Sequence, residues 1–222
     1  MITEYITIAH DGQNEQTIKK SRFICTMKRV ATEKEAQAFI EQIRKAESKA
    51  NHHCFAYQIG DHNQVQRASD DGEPSGTAGV PMLNVLKQMG LQNVVAVTTR
   101  YFGGIKLGSG GLIRAYSHSV SQAAETIGIV RGHLQKTLKI KIAYPQLGTL
   151  NHYFDESPYS IEQTDYTDQV TVTAFIDFDQ IDAVQHELID LLNDQVTFTV
   201  GKAIFQETPI DPQTLHNKKD EN

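Results

Sequence analysis

Residues 97–116 read Val97-Thr-Thr-Arg-Tyr-Phe-Gly-Gly-Ile-Lys-Leu-Gly-Ser-Gly-Gly-Leu-Ile-Arg-Ala-Tyr116, and the elements on both sides are organised around this stretch. A short apolar run from Val94 to Val97 predicts a strand. Beyond the glycine-rich segment, apolar residues recur at helical spacing and predict a helix over residues 109–127. The order is therefore strand, glycine-rich loop and helix.

The loop within this stretch has the composition of an anion site. Its glycines are Gly103, Gly104, Gly108, Gly110 and Gly111. Such a concentration indicates positive φ angles or the close approach of another group, because glycine otherwise costs backbone entropy. The charged residues of the stretch, Arg100, Lys106 and Arg114, are all cations, and Ser109 opens the helix. Basic side chains beside a helix N-terminus predict anion binding, whereas the alternative is that the glycines only permit close packing.

A second unusual stretch, residues 70–82, reads Asp70-Asp-Gly-Glu-Pro-Ser-Gly-Thr-Ala-Gly-Val-Pro-Met82. It places the carboxylates of Asp70, Asp71 and Glu73 and the hydroxyls of Ser75 and Thr77 ahead of a predicted helix. A long loop so rich in turn-forming residues is typical of a functional site. Asp, Ser and Thr are also ordinary helix caps, so a functional role and a capping role both remain open.

Length and composition predict a two-domain protein of the cytoplasm. The chain has 222 residues, and no apolar run approaches the roughly 20 residues that span a bilayer. The first residues lack the basic start and apolar core of a signal peptide. Cys25 and Cys54 are too few for a disulfide framework and are expected to be reduced thiols.

Charge divides the chain into two parts. Residues 1–135 hold 15 Lys and Arg against 12 Asp and Glu, whereas residues 136–222 hold 6 against 15. Because phosphate affinity comes from cations, the acidic second part argues against a general nucleic-acid binder. Any bound RNA should therefore contact the first part, and no reading of DNA sequence is expected.

The order of predicted elements also changes near residue 134. In the first part, strands are predicted at residues 2–8, 21–30, 54–59 and 65–68, and Thr32 with Glu35 forms a capping box that opens a helix. The second part gives the order βαββαβ, which is the ferredoxin-like arrangement. We therefore predict an α+β protein with domains at residues 1–134 and 135–208 and a polar, disordered tail at residues 209–222.

Several catalytic and metal-binding motifs fail on inspection. Ser109 stands where a P-loop requires its lysine, and the Gly-Ser-Gly-Gly run is closer to the phosphate loop of the GHMP small-molecule kinases. Ser75 lacks the frame of a nucleophile elbow. His52-His53-Cys54 has no second ligand cluster, so a structural role is favoured, and the 70–73 spacing does not match an EF-hand loop. No catalytic residue, cofactor or metal site is predicted.

Together, the 70–82 and 99–116 stretches resemble the IMPACT family, and in particular its bacterial YigZ-like branch. The Arg-Tyr-Phe-Gly-Gly-x-x-Leu-Gly segment, preceded by Gly-Val-Pro, carries the resemblance. The resemblance implies a first domain with the left-handed βαβ fold of a small-subunit ribosomal protein and the GHMP kinases. It implies a second domain similar to the last domain of elongation factor G.

The resemblance also implies a role linked to translation. Eukaryotic relatives restrain the starvation-responsive kinase of translation initiation by competing for its ribosome-associated activator. They use a further recruiting domain that this chain is expected to lack, so that regulation is not carried over. What remains is a non-catalytic regulatory or binding protein whose partner is RNA, the ribosome or a translation factor.

The two resulting hypotheses share one face of the first domain. Its candidate binding residues are Asp70, Asp71, Glu73, Ser75, Thr77, Arg100, Tyr101, Phe102, Gly103, Gly104, Lys106, Gly108, Ser109, Gly110 and Arg114. In the first hypothesis, exposed Tyr101 and Phe102 form an interface hot spot or a base-stacking platform. Burial of both rings would remove that argument, and the carboxylates would serve the face or pair with Arg100 or Arg114. In the alternative, an enzyme cradles a phosphorylated small molecule on loop 103–111 and holds Mg²⁺ with the 70–73 carboxylates.

Overall fold

The structure, a computed structural model, describes residues 2–212 and divides into two compact units. One unit contains residues 5–131 with 208–212, and the other contains residues 2–4 with 132–207. The tail predicted over residues 209–222 lies outside the described residues from Gln213 onward, and the last strand reaches Ile210 before that point. Within residues 2–212, no helix combines the length and apolarity of a membrane-spanning segment.

The elements of the chain follow one another in mixed order. Up to residue 127 they are β1 (Glu4–Ile8), β2 (Gly12–Ile18), β3 (Ser21–Arg29), α1 (Glu33–Ala46), β4 (His52–Ile59), β5 (Val65–Ser69), α2 (Gly79–Gln88), β6 (Val94–Tyr101) and α3 (Ser109–Ile127). From residue 129 they are β7 (Ile129–Ile142), a 3-10 turn (Tyr144–Gln146), α4 (Leu147–Glu156), β8 (Ile161–Tyr166), β9 (Val170–Asp177), α5 (Ile181–Leu191) and β10 (Thr197–Ile210).

Strand β6 lies at the centre of the first unit, in a sheet of order β2-β3-β6-β4-β5. Its alternate residues enter two cores. Val94 and Ala96 pack beneath α2 and α3, whereas Val95 and Val97 pack against α1 on the other face. A strand covered on both faces reads as a continuous apolar run, which explains why residues 94–97 were predicted correctly. The predicted end at Val97 was wrong, because the strand continues to Tyr101.

Helix α3 follows the predicted apolar spacing. Leu112, Tyr116, Val120 and Ala123 are buried along one face. Ile113, which the sequence placed on the same stripe, is 41% exposed. The helix begins after Gly108, whose φ is +74°, a conformation that residues with a Cβ rarely adopt.

The predicted capping box at α1 is present with a small change. The Thr32 hydroxyl accepts the Glu35 amide at 3.2 Å, as expected. The Glu35 carboxylate accepts the amide of Ala31, at 2.8 Å, rather than that of Thr32. The Thr32 hydroxyl therefore satisfies a backbone donor that the first helical turn leaves free, and Glu35 satisfies the amide just before the cap.

The second unit has the predicted βαββαβ order. Strand β7 pairs with both β9 and β10, and β8 pairs with β9, so the strand order is that of a ferredoxin-like sheet. Leu138, Ile140 and Val172 on the sheet pack with Leu150 of α4 and Leu188 of α5. The α+β fold class with two domain types is therefore confirmed.

Strand β2 was not predicted. It reads Gly-Gln-Asn-Glu-Gln-Thr-Ile and carries almost no apolar signal, because it lies at the edge of the sheet. It pairs with β3 through a two-residue turn, Lys19-Lys20, in which φ is +46° and +67°. These are type I′ values, which usually require Asn or Gly. Because this turn contains two lysines instead, its sequence did not predict a hairpin.

Candidate binding site

Three neighbouring strands place Phe23, Arg100 and His52 side by side. Arg100 of β6 lies opposite Phe23 of β3 and opposite His52 of β4, so all three side chains share one face of the sheet. The Arg100 guanidinium lies 5.3 Å from the centroid of the Phe23 ring and 5.5 Å from that of Phe102. Both rings lie within the distance at which a cation is attracted to an aromatic face.

Arg100 and Glu73 form a buried ion pair. Arg100 Nη1 donates to Glu73 Oε1 at 2.5 Å, and the Tyr116 hydroxyl donates to the same oxygen at 2.8 Å. Arg100 Nη2 donates to the Ser21 hydroxyl at 3.3 Å. Arg100 Nε has no hydrogen-bond partner within residues 2–212. The pairing of a 70–73 carboxylate with Arg100, one of the sequence alternatives, is therefore present.

Asp71 turns away from this pair and joins two other elements. One of its carboxylate oxygens accepts from Arg44 of α1 at 2.9 Å, and the other accepts the His53 amide at 2.6 Å. Its backbone has a φ of +44°, which few residues other than glycine adopt. Asp71 therefore holds the loop against α1 and the start of β4, and no bond joins it to Arg114.

Asp70 organises the loop that precedes α2. Its carboxylate accepts the amides of Gly76 at 2.8 Å, Ala78 at 3.0 Å and Gly79 at 2.8 Å. Burial acts to raise the pKa of Asp70, but the three amide hydrogen bonds outweigh it and hold that pKa below its ordinary value. Asp70 thus satisfies the amides at the start of α2, the capping role that the sequence left open, whereas the Thr77 hydroxyl donates to the Pro74 carbonyl at 2.6 Å and stabilises the turn before the helix.

The two unpaired cysteines are buried in the same unit. The thiol of Cys54 donates to the backbone carbonyl of Asp70 at 2.9 Å. Burial raises the pKa of Cys25 and that of Cys54 to about 12. Both thiols are therefore protonated and serve as small core groups.

The 70–82 and 99–116 stretches meet at a cleft of about 370 Å³, which we call the α3 cleft. It is lined by His52, Glu73, Pro74, Arg100, Phe102, Lys106, Leu107, Gly108, Ser109 and Leu112. The Phe102 ring is 46% exposed, and Lys106 and Ser109 are also exposed. No described side chain caps the first turn of α3. A flat ring, a lysine and a helix N-terminus suit a ligand that carries both a planar group and a phosphate.

Several predicted site residues lie outside the α3 cleft. Tyr101 is half-buried and points to the opposite face of the sheet from Arg100, because successive strand residues alternate. Its hydroxyl donates to Glu47 at 2.6 Å, and this bond, with burial, raises the pKa of Tyr101. Arg114 lies farther along α3, at a different groove. The other candidates that do not line the α3 cleft are Asp70, Asp71, Ser75, Thr77, Gly103, Gly104 and Gly110.

Gly103 is required by a close backbone approach. A Cβ at this position would lie 2.0 Å from the carbonyl oxygen of Lys20 in the β2–β3 turn. Its amide donates to the Ser21 hydroxyl at 3.2 Å. Loop 103–108 is therefore held directly against the hairpin turn.

Sequence analysis did not identify two residues near the cleft, His52 and Asn51, as site residues. His52 lines the cleft, with Nδ1 2.9 Å from the Asp71 carbonyl and Nε2 3.9 Å from Glu73 Oε1. Asn51 accepts the Phe102 amide at 2.8 Å and so positions the exposed ring. His52 lies beside Arg100 because β4 pairs with β6 in this register. Local sequence patterns do not reveal that pairing, because it joins distant parts of the chain.

The carboxylates that the enzyme hypothesis assigned to Mg²⁺ all contact protein groups. Asp70 is held by amides, Asp71 by Arg44, and Glu73 by Arg100 and Tyr116. Within residues 2–212 there is no group of three or more His, Cys, Asp and Glu residues arranged to hold a metal ion. The loop geometry is therefore explained by hydrogen bonds within the protein.

Comparison with known proteins places this site in a family. The family model described as the Impact N-terminal domain matches residues 19–124, which include every residue that lines the α3 cleft. A second model, described as domain of unknown function DUF1949, matches residues 140–195. IMPACT family member YvyE of Bacillus subtilis (strain 168) is 42% identical over 210 residues, which cover 95% of this chain and 97% of that protein. This chain belongs to the IMPACT family.

Other relatives of this IMPACT family chain agree. IMPACT family member YigZ of Escherichia coli (strain K12) is 39% identical over 153 residues, covering 68% of the chain and 75% of that protein. Protein IMPACT-B of Xenopus tropicalis is 31% identical over 126 residues, but these cover only 38% of that protein. A solved structure described as "Crystal structure of an hypothetical protein" shares 32% identity with a TM-score of 0.58, covering 89% of this chain and 97% of that one. The family resemblance in the sequence is therefore confirmed.

Proposed function

We propose that this IMPACT family chain is a non-catalytic binding protein of the translation machinery, and that its α3 cleft holds a segment of single-stranded RNA. One observation carries the proposal: the exposed Phe102 ring, Lys106 and the uncapped N-terminus of α3 line the same cleft. The link to translation is the one that the family resemblance implies. The chemistry of the cleft, with its exposed ring, lysine and helix N-terminus, favours RNA as the ligand.

The cleft fits a nucleotide better than a bare anion. Phe102 offers a face on which a base stacks, and such stacking contributes about 1–3 kcal/mol per base. Lys106 and the amides at the start of α3 face the region where the adjoining phosphate would lie. The Arg100 charge is already balanced by Glu73, so its part is to support the Phe102 ring rather than to attract phosphate.

The charge of the chain is consistent with a localised contact. The cleft lies in the part of the chain where Lys and Arg outnumber Asp and Glu by three, although the whole protein carries a formal charge of −6. A protein with this balance does not bind nucleic acid over its whole surface. It binds one short segment, where stacking provides much of the free energy.

The test measures RNA binding by fluorescence anisotropy with a labelled single-stranded oligonucleotide. Phe102→Ala should weaken binding about tenfold, because it removes one stacking contact. Phe205→Ala, which removes an exposed phenylalanine of β10, is the matched control and should leave binding unchanged. Equal affinities of the Phe102 variant and the wild type would refute a role for the cleft.

A cellular experiment addresses the partner. The tagged chain is purified from lysate in two arms, with and without ribonuclease. We expect ribosomal or messenger RNA in the untreated arm and its loss from the Phe102→Ala variant. Recovery of the same protein partners in both arms would show a protein contact instead of RNA.

A second candidate, an enzyme that acts on a phosphorylated small molecule, uses the same cleft. The observation in its favour is His52, a proton carrier that faces the cleft beside Glu73. Calorimetric titration with MgATP decides between the two candidates. We expect a flat titration, and saturable binding would support the enzyme.

A further inference from the structure

A second groove of about 720 Å³ lies on the first unit, beyond the α3 cleft. We call it the α2–α3 groove, because its walls come from these helices and the β2–β3 turn. The residues that line it include Lys19, Val85, Met89, Ile113, Arg114 and His118. The groove therefore has an apolar floor and basic edges, and no carboxylate from the described part of the chain lines it.

The three basic side chains of the groove are exposed and available. Lys19, Arg114 and His118 are exposed. Within residues 2–212 none of these side chains has an ion-pair or hydrogen-bond partner. Arg114 and His118 are four residues apart on α3, which places them on neighbouring turns of one face. Lys19 enters from the hairpin turn, so the basic side chains are spread along the groove.

The floor of the groove is aliphatic. Ile113 is 41% exposed, Val85 and Leu107 are half-buried, and Met89 forms the base. No Phe, Tyr or Trp side chain of the described residues lines it. A concave aliphatic surface of this kind can bury apolar groups of a ligand. The absence of an exposed ring such as that of Phe102 from the aliphatic floor distinguishes this groove from the α3 cleft and argues against base stacking on the floor.

We propose that the α2–α3 groove binds an acidic amphipathic segment of a partner protein. Aliphatic side chains of the segment fill the floor, and its carboxylates pair with Lys19, Arg114 and His118. Helix-in-groove recognition works in this way, with apolar anchors at helical spacing. Charge complementarity selects the acidic partner and rejects a basic one.

The distribution of charge favours a peptide over an acidic lipid. A fatty acid brings one carboxylate at one end of an apolar chain, and it can pair with one of the three basic side chains. A peptide segment carries carboxylates along its length, so it can match Arg114, His118 and Lys19 together. The groove volume lies within the roughly 300–1,000 Å³ typical of ligand sites, which suits several aliphatic side chains.

The groove and the α3 cleft can be tested separately. Leu107 lines both, whereas Phe102 lines only the cleft and Arg114 only the groove. Phe102→Ala should therefore leave peptide binding unchanged, and Arg114→Glu should leave stacking on Phe102 in place. Failure of one proposal does not imply failure of the other.

The experiment uses a display library of random peptides, selected on the full chain and counter-selected on the Arg114→Glu variant. Selected peptides should have acidic residues and aliphatic residues at three- and four-residue spacing. Their affinity, measured by fluorescence anisotropy, should fall at least about tenfold in Arg114→Glu and in Ile113→Asp. Lys34→Glu, an exposed lysine on α1 away from the groove, is the matched control and should bind as the wild type does.

Three outcomes would overturn the proposal. Selection of basic or neutral peptides, or an affinity that Arg114→Glu leaves unchanged, would exclude an acidic segment. Dimerisation of the wild type that Ile113→Asp abolishes would assign the groove to a second copy of the chain. Lys19→Glu provides an independent variant on another element, and denaturation midpoints equal to that of wild type show that the variants are folded.

Discussion

Glu73 and Arg100 are paired inside the first unit with side chains that are only 3% and 5% exposed, although 27 residues separate them in the chain. Removing two charges from water is costly, and here the cost is offset by additional hydrogen bonds from Tyr116 and to Ser21. The pair ties the loop before α2 to the strand that leads into the glycine-rich loop. It therefore fixes the relative positions of the two stretches that form the α3 cleft.

Neutralising one member of this pair should be strongly destabilising. In Glu73→Gln the Arg100 charge stays buried without its counterion, so we expect the free energy of unfolding to fall by about 3–5 kcal/mol in urea denaturation. The control is Glu15→Gln, which breaks the exposed Glu15–Arg22 pair and should leave the free energy of unfolding nearly unchanged. Similar losses in both variants would contradict the structural role of the buried pair.

The carboxylate of Asp70 should make stability depend on pH in the acid range. Its pKa in the folded protein is lowered, so its contribution is complete above the unfolded value of about 3.8 and is lost as pH falls through the folded value. Asp70→Asn should lower the free energy of unfolding at neutral pH by about 1–3 kcal/mol. It should also reduce the loss of stability on acidification. Parallel urea curves for both proteins across the acid range test this, and an unchanged acid dependence would argue against the three amide bonds.

Substitution at Gly103 should disturb the hairpin contact. Gly103→Ala places a Cβ 2.0 Å from the Lys20 carbonyl oxygen, so backbone must move, and we expect a loss of about 1–3 kcal/mol. Gly110→Ala, in the first turn of α3, meets no atom within 4 Å and should be neutral or stabilising, because alanine favours a helix. Thermal denaturation of the two variants compares them directly. If Gly103→Ala were as stable as Gly110→Ala, the β2–β3 turn would have to move away from the new Cβ without loss of stability.

Inorganic sulfate or phosphate should bind at residues 100–114 before it binds elsewhere. The start of α3 and Lys106 create a local positive field on an acidic protein. Amide shifts in NMR spectra during a phosphate titration should be largest near Ser109. Lys106→Ala should reduce them, whereas Lys202→Ala in β10 should not. Shifts confined to residues 136–212 would contradict the assignment.

The sequence was most informative where one element alone determines the pattern. The stripe from Leu112 to Ile127 is set by helical geometry, and the run from Val94 to Val97 is set by burial on both faces, so both were predicted correctly. Strand β2 was missed because pairing with β3, rather than its own composition, makes it a strand. The exposure of Ile113 was not predicted, because apolar spacing does not show how wide the buried face of the helix is.

The site was harder to predict because its contacts join distant elements. Sequence reasoning assigned Asp70, Asp71 and Glu73 a shared role, yet Asp70 accepts backbone amides, Asp71 pairs with Arg44, and Glu73 pairs with Arg100. The directions of consecutive strand residues could have been used to separate Arg100 from Tyr101. The partner of each side chain, in contrast, depends on tertiary packing, which local sequence patterns do not reveal.

Because the Cys54 thiol donates to the Asp70 carbonyl, the reactivity of this cysteine can report opening of the loop that contains Asp70. A thiol reagent can react with Cys54 only after the segment before α2 has lifted and exposed the sulfur to water. In a Cys25→Ala background the labelling rate would therefore report how often the segment opens. A ligand in the adjoining α3 cleft would slow that rate, so occupancy could be measured without a label on the ligand itself.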